Sequence, residues 1–264
     1  MLRKAVLAAA AASSTTSAFV HPAAAFARRG GPALRRSLGM HAAAIEVERK
    51  FAPVSTPAEL RARVEALGGE LVGEVAFTDA YWDTPSCALC AADCWLRQRD
   101  GAWEFKTPVE GDDAAPSRSG GERSVFREHE GAAAAAAALS AALSAALGGA
   151  ALPGGSDAAL EAALGAQCGA AVFAEFGTRR TKYRLDGCNI DVDAASFGHA
   201  VVEIEVMCAA PDEVPAAEAR IAGVAGKIGA EPLGKTGGKL ETYLRASCPK
   251  QLAVLVAAGI LPPS

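Results

Sequence analysis

The first 45 residues contain no Asp and no Glu, although they carry Arg3, Lys4, Arg28, Arg29, Arg35 and Arg36. The whole chain has 26 basic and 30 acidic residues and a net charge of −4, so the body beyond that segment is more acidic than the total implies. An acidic body argues against a general nucleic-acid binder, which needs Lys and Arg to neutralise phosphates. Aromatics are scarce at 6%, and of only four His two, His21 and His41, sit near the N-terminus. No convincing Ser-His-Asp set can be assembled from what remains. The cysteines number seven, with one CxxC spacing, Cys87 and Cys90. With no second pair and no His cluster, a zinc site is not expected; reduced thiols in core or loop are. No apolar run in the body is long enough to span a bilayer.

The acid-free stretch reads as a targeting segment rather than as fold. Arg3 and Lys4 precede the short apolar run Ala5–Ala12, and small residues follow up to Ser17-Ala18, where a signal peptidase could cut. Phe19 then opens an Arg-, Ala- and Ser-containing segment. That order resembles the bipartite plastid presequence of algae with secondary plastids. A mitochondrial presequence and plain secretion are the alternatives, with a cytoplasmic product if translation starts at Met40. Three regions are therefore expected: a presequence over 1–44, a single folded domain over 45–248, and a terminal helix and tail over 249–264.

With 51% hydrophobic residues the body can build a real core. Strand patterns cover Ile45–Phe51, Leu71–Trp82, Cys94–Arg99, Trp103–Pro108 and Ser124–His129. They return at Ala171–Thr178, Arg180–Leu185, Asn189–Asp193 and Val201–Cys208. Asp100-Gly101 is a two-residue hairpin signal, and 110–121 reads as a loop. Helix patterns cover Ala58–Leu67, capped by Ser55-Thr56-Pro57, the Ala-rich Ala132–Leu147, Asp157–Leu164, Pro215–Ile228 and Pro249–Ala258. Lys239–Leu244 fits either a strand or a helix start. Many strands with few helices give an α+β fold with a large antiparallel sheet.

Charges recur at alternate positions: Glu46, Glu48 and Lys50; Arg97 and Arg99; Glu104 and Lys106; Asp191 and Asp193; Glu203 and Glu205. Alternate residues of a strand share a face, and apolar Val47, Val192 and Ile204 intervene. Cross-strand ion pairs on an exposed sheet would explain one such strand. Five point to a polar interior lined by strands. Its bases would be Lys50, Arg97, Arg99, Lys106, Arg127, Arg180 and Lys239, suited to phosphate oxygens. Its acids would be Glu46, Glu48, Asp191, Asp193, Glu203 and Glu205. Carboxylates beside phosphate imply a bridging cation, and hard oxygen donors point to Mg²⁺ or Mn²⁺. Trp95 shares a face with Arg97 and Arg99 and could stack on a flat or cationic ring, or simply pack.

Residues 229–236 match GxxxxGK[ST], but a phosphate loop must join a strand to a helix. Here a helix precedes, Pro232 interrupts, and Gly237-Gly238 disfavour a following helix. The match is rejected, with Lys235 kept as a loop residue able to touch phosphate.

The ordered series Glu46-x-Glu48-x-Lys50, FTDAYWDTP (77–85), ADCWLRQR (92–99), WEFKTP (103–108), 178–185, IDVDAASFG (190–198), VEIEV (202–206) and KLETYL (239–244) resembles the CYTH family of triphosphate tunnel enzymes, nearest its thiamine triphosphatase branch. The resemblance covers roughly residues 45–245. It implies an eight-stranded antiparallel β-barrel or open tunnel with flanking helices. It assigns phosphate binding to Lys50, Arg97, Arg99, Lys106, Arg180 and Lys239, metal binding to the six acids above, and ring stacking to Trp95. Lys50 and Tyr81 become candidates for assisting water or protonating the leaving group. A Lys-Glu pair usual in the family's middle strand stands here as Arg127-Glu128. The expected activity is Mg²⁺-dependent hydrolysis of thiamine triphosphate by a monomer without nucleic-acid partners. Hydrolysis of tripolyphosphate or a nucleoside triphosphate, a non-catalytic polyphosphate-binding module and an adenylyl cyclase are the alternatives.

Overall fold

Alternating side chains decide the architecture, because both faces of the sheet are used. The computed structural model describes residues 43–53, 56–109, 123–234 and 237–263. Nearly all of the expected targeting segment, the expected loop 110–121 and Lys235 lie outside the described residues. The strands are β1 (Ile45–Ala52), β2 (Glu70–Asp83), β3 (Trp95–Arg99), β4 (Ala102–Pro108), β5 (Arg123–Glu130), β6 (Ala171–Leu185), β7 (Cys188–Ala195), β8 (Ala200–Cys208) and the two-residue β9 (Glu231–Pro232). They pair in the order β5-β4-β3-β2-β6-β7-β8-β1-β9, and β1 pairs again with β5. That second pairing closes β1 to β8 into an antiparallel barrel with no free edge among the eight.

Tight turns hold the hairpins. Asp100 and Gly101 have φ of 49° and 86°, as do Asp186 and Gly187 at 50° and 75° between β6 and β7. Two successive positive φ values match the twist of paired strands, and Asp-Gly supplies them at low cost. Helix α1 (Pro57–Ala66) starts with the capping box of Thr56 and Glu59.

The barrel wears its apolar residues outside, under helices. Helices α1 and α5 (Val214–Ile228) cover Val47, Ile190, Ile204 and Tyr183 on one side, with Val64 and Ile221 reaching down from the helices. Helices α3 (Gly131–Ala142) and α4 (Asp157–Cys168) cover Leu96, Trp103 and Phe105 on another, through Leu139, Leu160 and Leu164. Ile221 is fully buried. Its replacement by Ala should lower stability by about 2–5 kcal/mol, read from urea denaturation, because the rigid barrel wall cannot collapse into the void. A third cluster joins Tyr81, Trp95, Phe126 and Phe176 to α6 (Lys239–Ser247) and α7 (Pro249–Ala257). No helix among the described residues is long and apolar enough to cross a membrane.

Several element boundaries differ from expectation. The two strands expected over 171–185 are one, β6, paired with β2 along its length. Lys239–Leu244 opens a helix, and the Ala-rich helix ends at Ala142 before a run of turns. The short helix α2 (Ala88–Ala91) was not foreseen. It forms because the Asp83 carboxylate accepts from the backbone N–H groups of Leu89 and Cys90.

Candidate active site

The register brings the alternating charges to the inner face of the barrel. Lys50 lies opposite Glu203 and Glu48 opposite Glu205. Arg180 lies opposite Asp193, and Arg97 opposite Tyr81 on one side and Glu104 on the other. All of these except Asp193, with Trp95, Arg99, Lys106 and Lys239, line a cavity of about 330 Å³, within the range of small-molecule sites.

Arg180 is the most heavily bonded base. Its guanidinium reaches Asp193 through Nε and Nη2 at 2.7 Å each, Glu203 at 2.8 Å, and Asp191. A guanidinium has five N–H donors, and four are used here. Lys239, from the first turn of α6, bonds Glu203 at 2.6 Å and also Asp193. Burial alone would raise the Glu203 carboxyl, but Lys239, Arg180 and Lys50 more than offset it and hold it far below its ordinary value. Asp191 and Asp193 are fully buried. Of the six expected metal ligands, Asp191, Asp193 and Glu203 are therefore the three that anchor Arg180 and Lys239.

A second anchor was missed in the sequence. Asp79 is fully buried and takes Arg99 at 2.8 and 3.0 Å, with Arg97 at 3.6 Å. Arg99 also lies over the Phe77 ring at 3.9 Å. Asp79 stands two residues from Tyr81, so the period-two rule could have found it. Arg97 reaches Glu104 at 2.5 Å. Burial would raise Glu104, yet Arg97 and Lys106 hold it at about 2. Lys106 links Glu46 and Glu128, the latter at 2.8 Å. Side-chain exposures of 13%, 27% and 17% leave Arg97, Arg99 and Lys106 open to the cavity. Trp95 is buried, and its Nε1–H donates to Asp93 at 2.9 Å, which fixes the plane of the ring on the cavity wall.

Glu46, Glu48 and Glu205 each place a carboxylate oxygen within 4.8 Å of the others. Burial, together with the charges of Glu46, Asp191 and Glu48, raises Glu205 to about 8 against the pull of Arg180. Three hard oxygen donors that repel one another fit a small divalent cation, which would relieve that repulsion.

Lys50 donates to Glu48 at 2.5 Å and to Ser124 at 2.7 Å. Burial would lower its pKa, but Glu48 and Glu203 outweigh that and raise it. Burial raises Tyr81 as well, against the nearby Arg97. Both stay protonated near neutral pH, so each can donate a hydrogen bond and neither can act as a base. Arg127 is a correction. It pairs with Ile45, whose side chain belongs to the outer core, and its Nη1 donates to the Ala43 carbonyl at 3.0 Å. Strand β5 turns Ser124, Phe126, Glu128 and Glu130 inward instead.

A closed antiparallel barrel whose inner wall alternates anchored bases with convergent carboxylates has the charges to accommodate a polyanion and a cation together. The CYTH domain model matches residues 44–235, and the chain belongs to the CYTH family. It is 33% identical over 216 residues to the thiamine-triphosphatase of Homo sapiens, covering 78% of this chain and 86% of that protein. The Macaca fascicularis thiamine-triphosphatase gives the same identity and coverage. Among solved structures, a putative adenylyl cyclase from Hippeastrum described as having a dominant triphosphatase activity overlaps with a TM-score of 0.45 at 16% identity, covering 79% of this chain and 98% of that one.

Proposed function

We propose that this CYTH-family triphosphatase hydrolyses thiamine triphosphate to thiamine diphosphate and phosphate with Mg²⁺. The carrying observation is the Glu46, Glu48 and Glu205 triad facing the Arg97, Arg99 and Lys106 wall, with Trp95 on that same wall. The open donors of Arg97, Arg99 and Lys106 bind phosphate oxygens, and Lys50 and Lys239 add charge to the opposite wall. Glu46, Glu48 and Glu205 would hold the ion. When bound, Mg²⁺ supplies charge neutralisation and orientation of a water for in-line attack. Lys50 and Tyr81 donate hydrogen bonds to the charge that develops on the transferred group or the leaving oxygen. Trp95, held by Asp93, offers its ring face to the thiazolium. Hydrolysis by water needs no covalent enzyme intermediate.

Phosphate release by the full chain tests this on thiamine triphosphate, tripolyphosphate and ATP, with Mg²⁺ or with EDTA. Thiamine triphosphate should be cleaved with the highest kcat/KM, and EDTA should abolish release. Trp95→Ala should cost about 5- to 30-fold on thiamine triphosphate, as for a lost cation–π contact of about 1–2 kcal/mol, and little on tripolyphosphate. A parent that prefers tripolyphosphate would sink the assignment of substrate.

A further inference from the structure

Helix α2 closes on an Asp where two longer helices of this chain close on Gly. The Asp93 N–H donates to the Cys90 carbonyl at 3.1 Å, and the Cys94 N–H to the Leu89 carbonyl at 2.9 Å. That pair of bonds is a Schellman turn, which needs a left-handed residue just past the helix. Asp93 fills that place with a φ of 53°. Helices α4 and α5 turn left-handed on Gly169 and Gly229, with φ of 63° and 66°. A side chain is strained in that conformation and Gly is not. Asp93 is also buried, where a carboxylate gives up its water. The turn closes through the backbone alone, so it does not explain an acid at this position.

The carboxylate finds its use two residues on. Asp93 Oδ1 accepts from Trp95 Nε1–H at 2.9 Å. Trp95 opens β3 and lines the cavity. An indole N–H lies in the plane of its ring, so this bond sets where the ring edge points and, with it, the face. Tyr81 and Phe126 belong to the same apolar cluster, but apolar contact has no preferred direction. A hydrogen bond to an anion also polarises the donor, and an indole polarised in this sense has a more negative face towards a cation. The turn that carries Asp93 is itself braced. Asp83 binds the N–H groups of Leu89 and Cys90, and Leu89 and Cys94 are buried in the cluster under α3 and α4.

We infer that Asp93 is a positioning residue that sets the preference for a substrate with a cationic ring, acting through Trp95. The inference rests on the thiamine triphosphate reading. Thiamine carries a positively charged thiazolium, and tripolyphosphate carries no ring. Asp93 lies behind the cavity wall and not on it. Its loss should therefore appear in KM for the ring-bearing substrate and leave kcat nearly unchanged.

Asp93→Gly in the full chain keeps the left-handed turn and removes the tether. KM for thiamine triphosphate should rise about fivefold, while tripolyphosphate hydrolysis stays within about twofold. Asp93→Asn keeps an acceptor and tolerates the turn, and should fall between the parent and the Gly variant. On a Trp95→Ala background, Asp93→Gly should raise that KM no further, because the tether then holds nothing. Trp95→Phe keeps a flat face without an N–H and should also raise KM for thiamine triphosphate; it carries the test if the Gly variant fails to fold. Equal losses on both substrates, a parental KM in the Gly or the Phe variant, or a further loss on the Trp95→Ala background would overturn the inference and leave the substrate reading standing. A parent enzyme that cleaves tripolyphosphate but not thiamine triphosphate would overturn that reading, and the inference with it.

Discussion

Arg180→Met is expected to cost about 3–5 kcal/mol of stability, a large share of the roughly 5–15 kcal/mol a domain has. Asp191 and Asp193 are fully buried, Glu203 nearly so, and Arg180 bonds all three. Met has similar length and no charge. It would leave Lys239 and Lys182 to compensate three carboxylates that Arg180 now bridges. Breaking a buried ion network from one side is far worse than never building it, because the stranded charges keep their desolvation cost. Arg180→Lys should fall between, since an ammonium keeps the charge but cannot fork across Asp193. Thermal melting with urea titration checks this. A Met variant melting within about 2 °C of the parent would show that the carboxylates are solvated by something other than Arg180.

The same network explains why the barrel can be charged inside. Its core is moved to the outer face, under α1 and α5 on one side and α3 and α4 on the other. The inner wall is then free to hold opposed charges in register, as where Lys50 lies opposite Glu203 and Arg180 opposite Asp193. The arrangement is costly without ligand, and the cost is concentrated where acids meet acids, at Glu46, Glu48 and Glu205.

How far this could be read from the sequence depends on parity. In β1, β7 and β8 the charged residues alternate with Val and Ile, so the inward face is unambiguous. In β5 the series Arg123-Ser-Val-Phe-Arg127-Glu128 has apolar residues on both faces, Val125 under the outer core and Phe126 inside. Parity there is set by the β1 register of Glu46 against Phe126, a long-range pairing with no local signal. That is why Arg127 was expected inside and lies outside. The burial of Asp191 and Asp193 was hidden for another reason. Alternation gives the face but not the depth, and Lys239 reaches Asp193 from a helix, not from a strand.

Glu205→Gln should separate function from stability. Activity with Mg²⁺ should fall at least about a hundredfold, since a lost ligand at a three-carboxylate site weakens the ion and misplaces the water. Stability without metal should move the other way. The Glu205 carboxyl is raised from an ordinary 4.5 to about 8, by burial first and by Glu46, Asp191 and Glu48 next. A carboxyl raised in the folded state holds its proton more tightly there than in the unfolded chain. Its ionisation therefore opposes folding progressively as pH rises from 4.5 through 8, and has no effect below 4.5. In EDTA the Gln variant should match the parent near pH 4 and melt higher above pH 8. Adding Mg²⁺ should raise the parent's melting temperature more than the variant's, because only the parent keeps all three ligands. A variant that loses stability at every pH would mean that Glu205 is held by partners in the barrel and is not part of a site awaiting a cation.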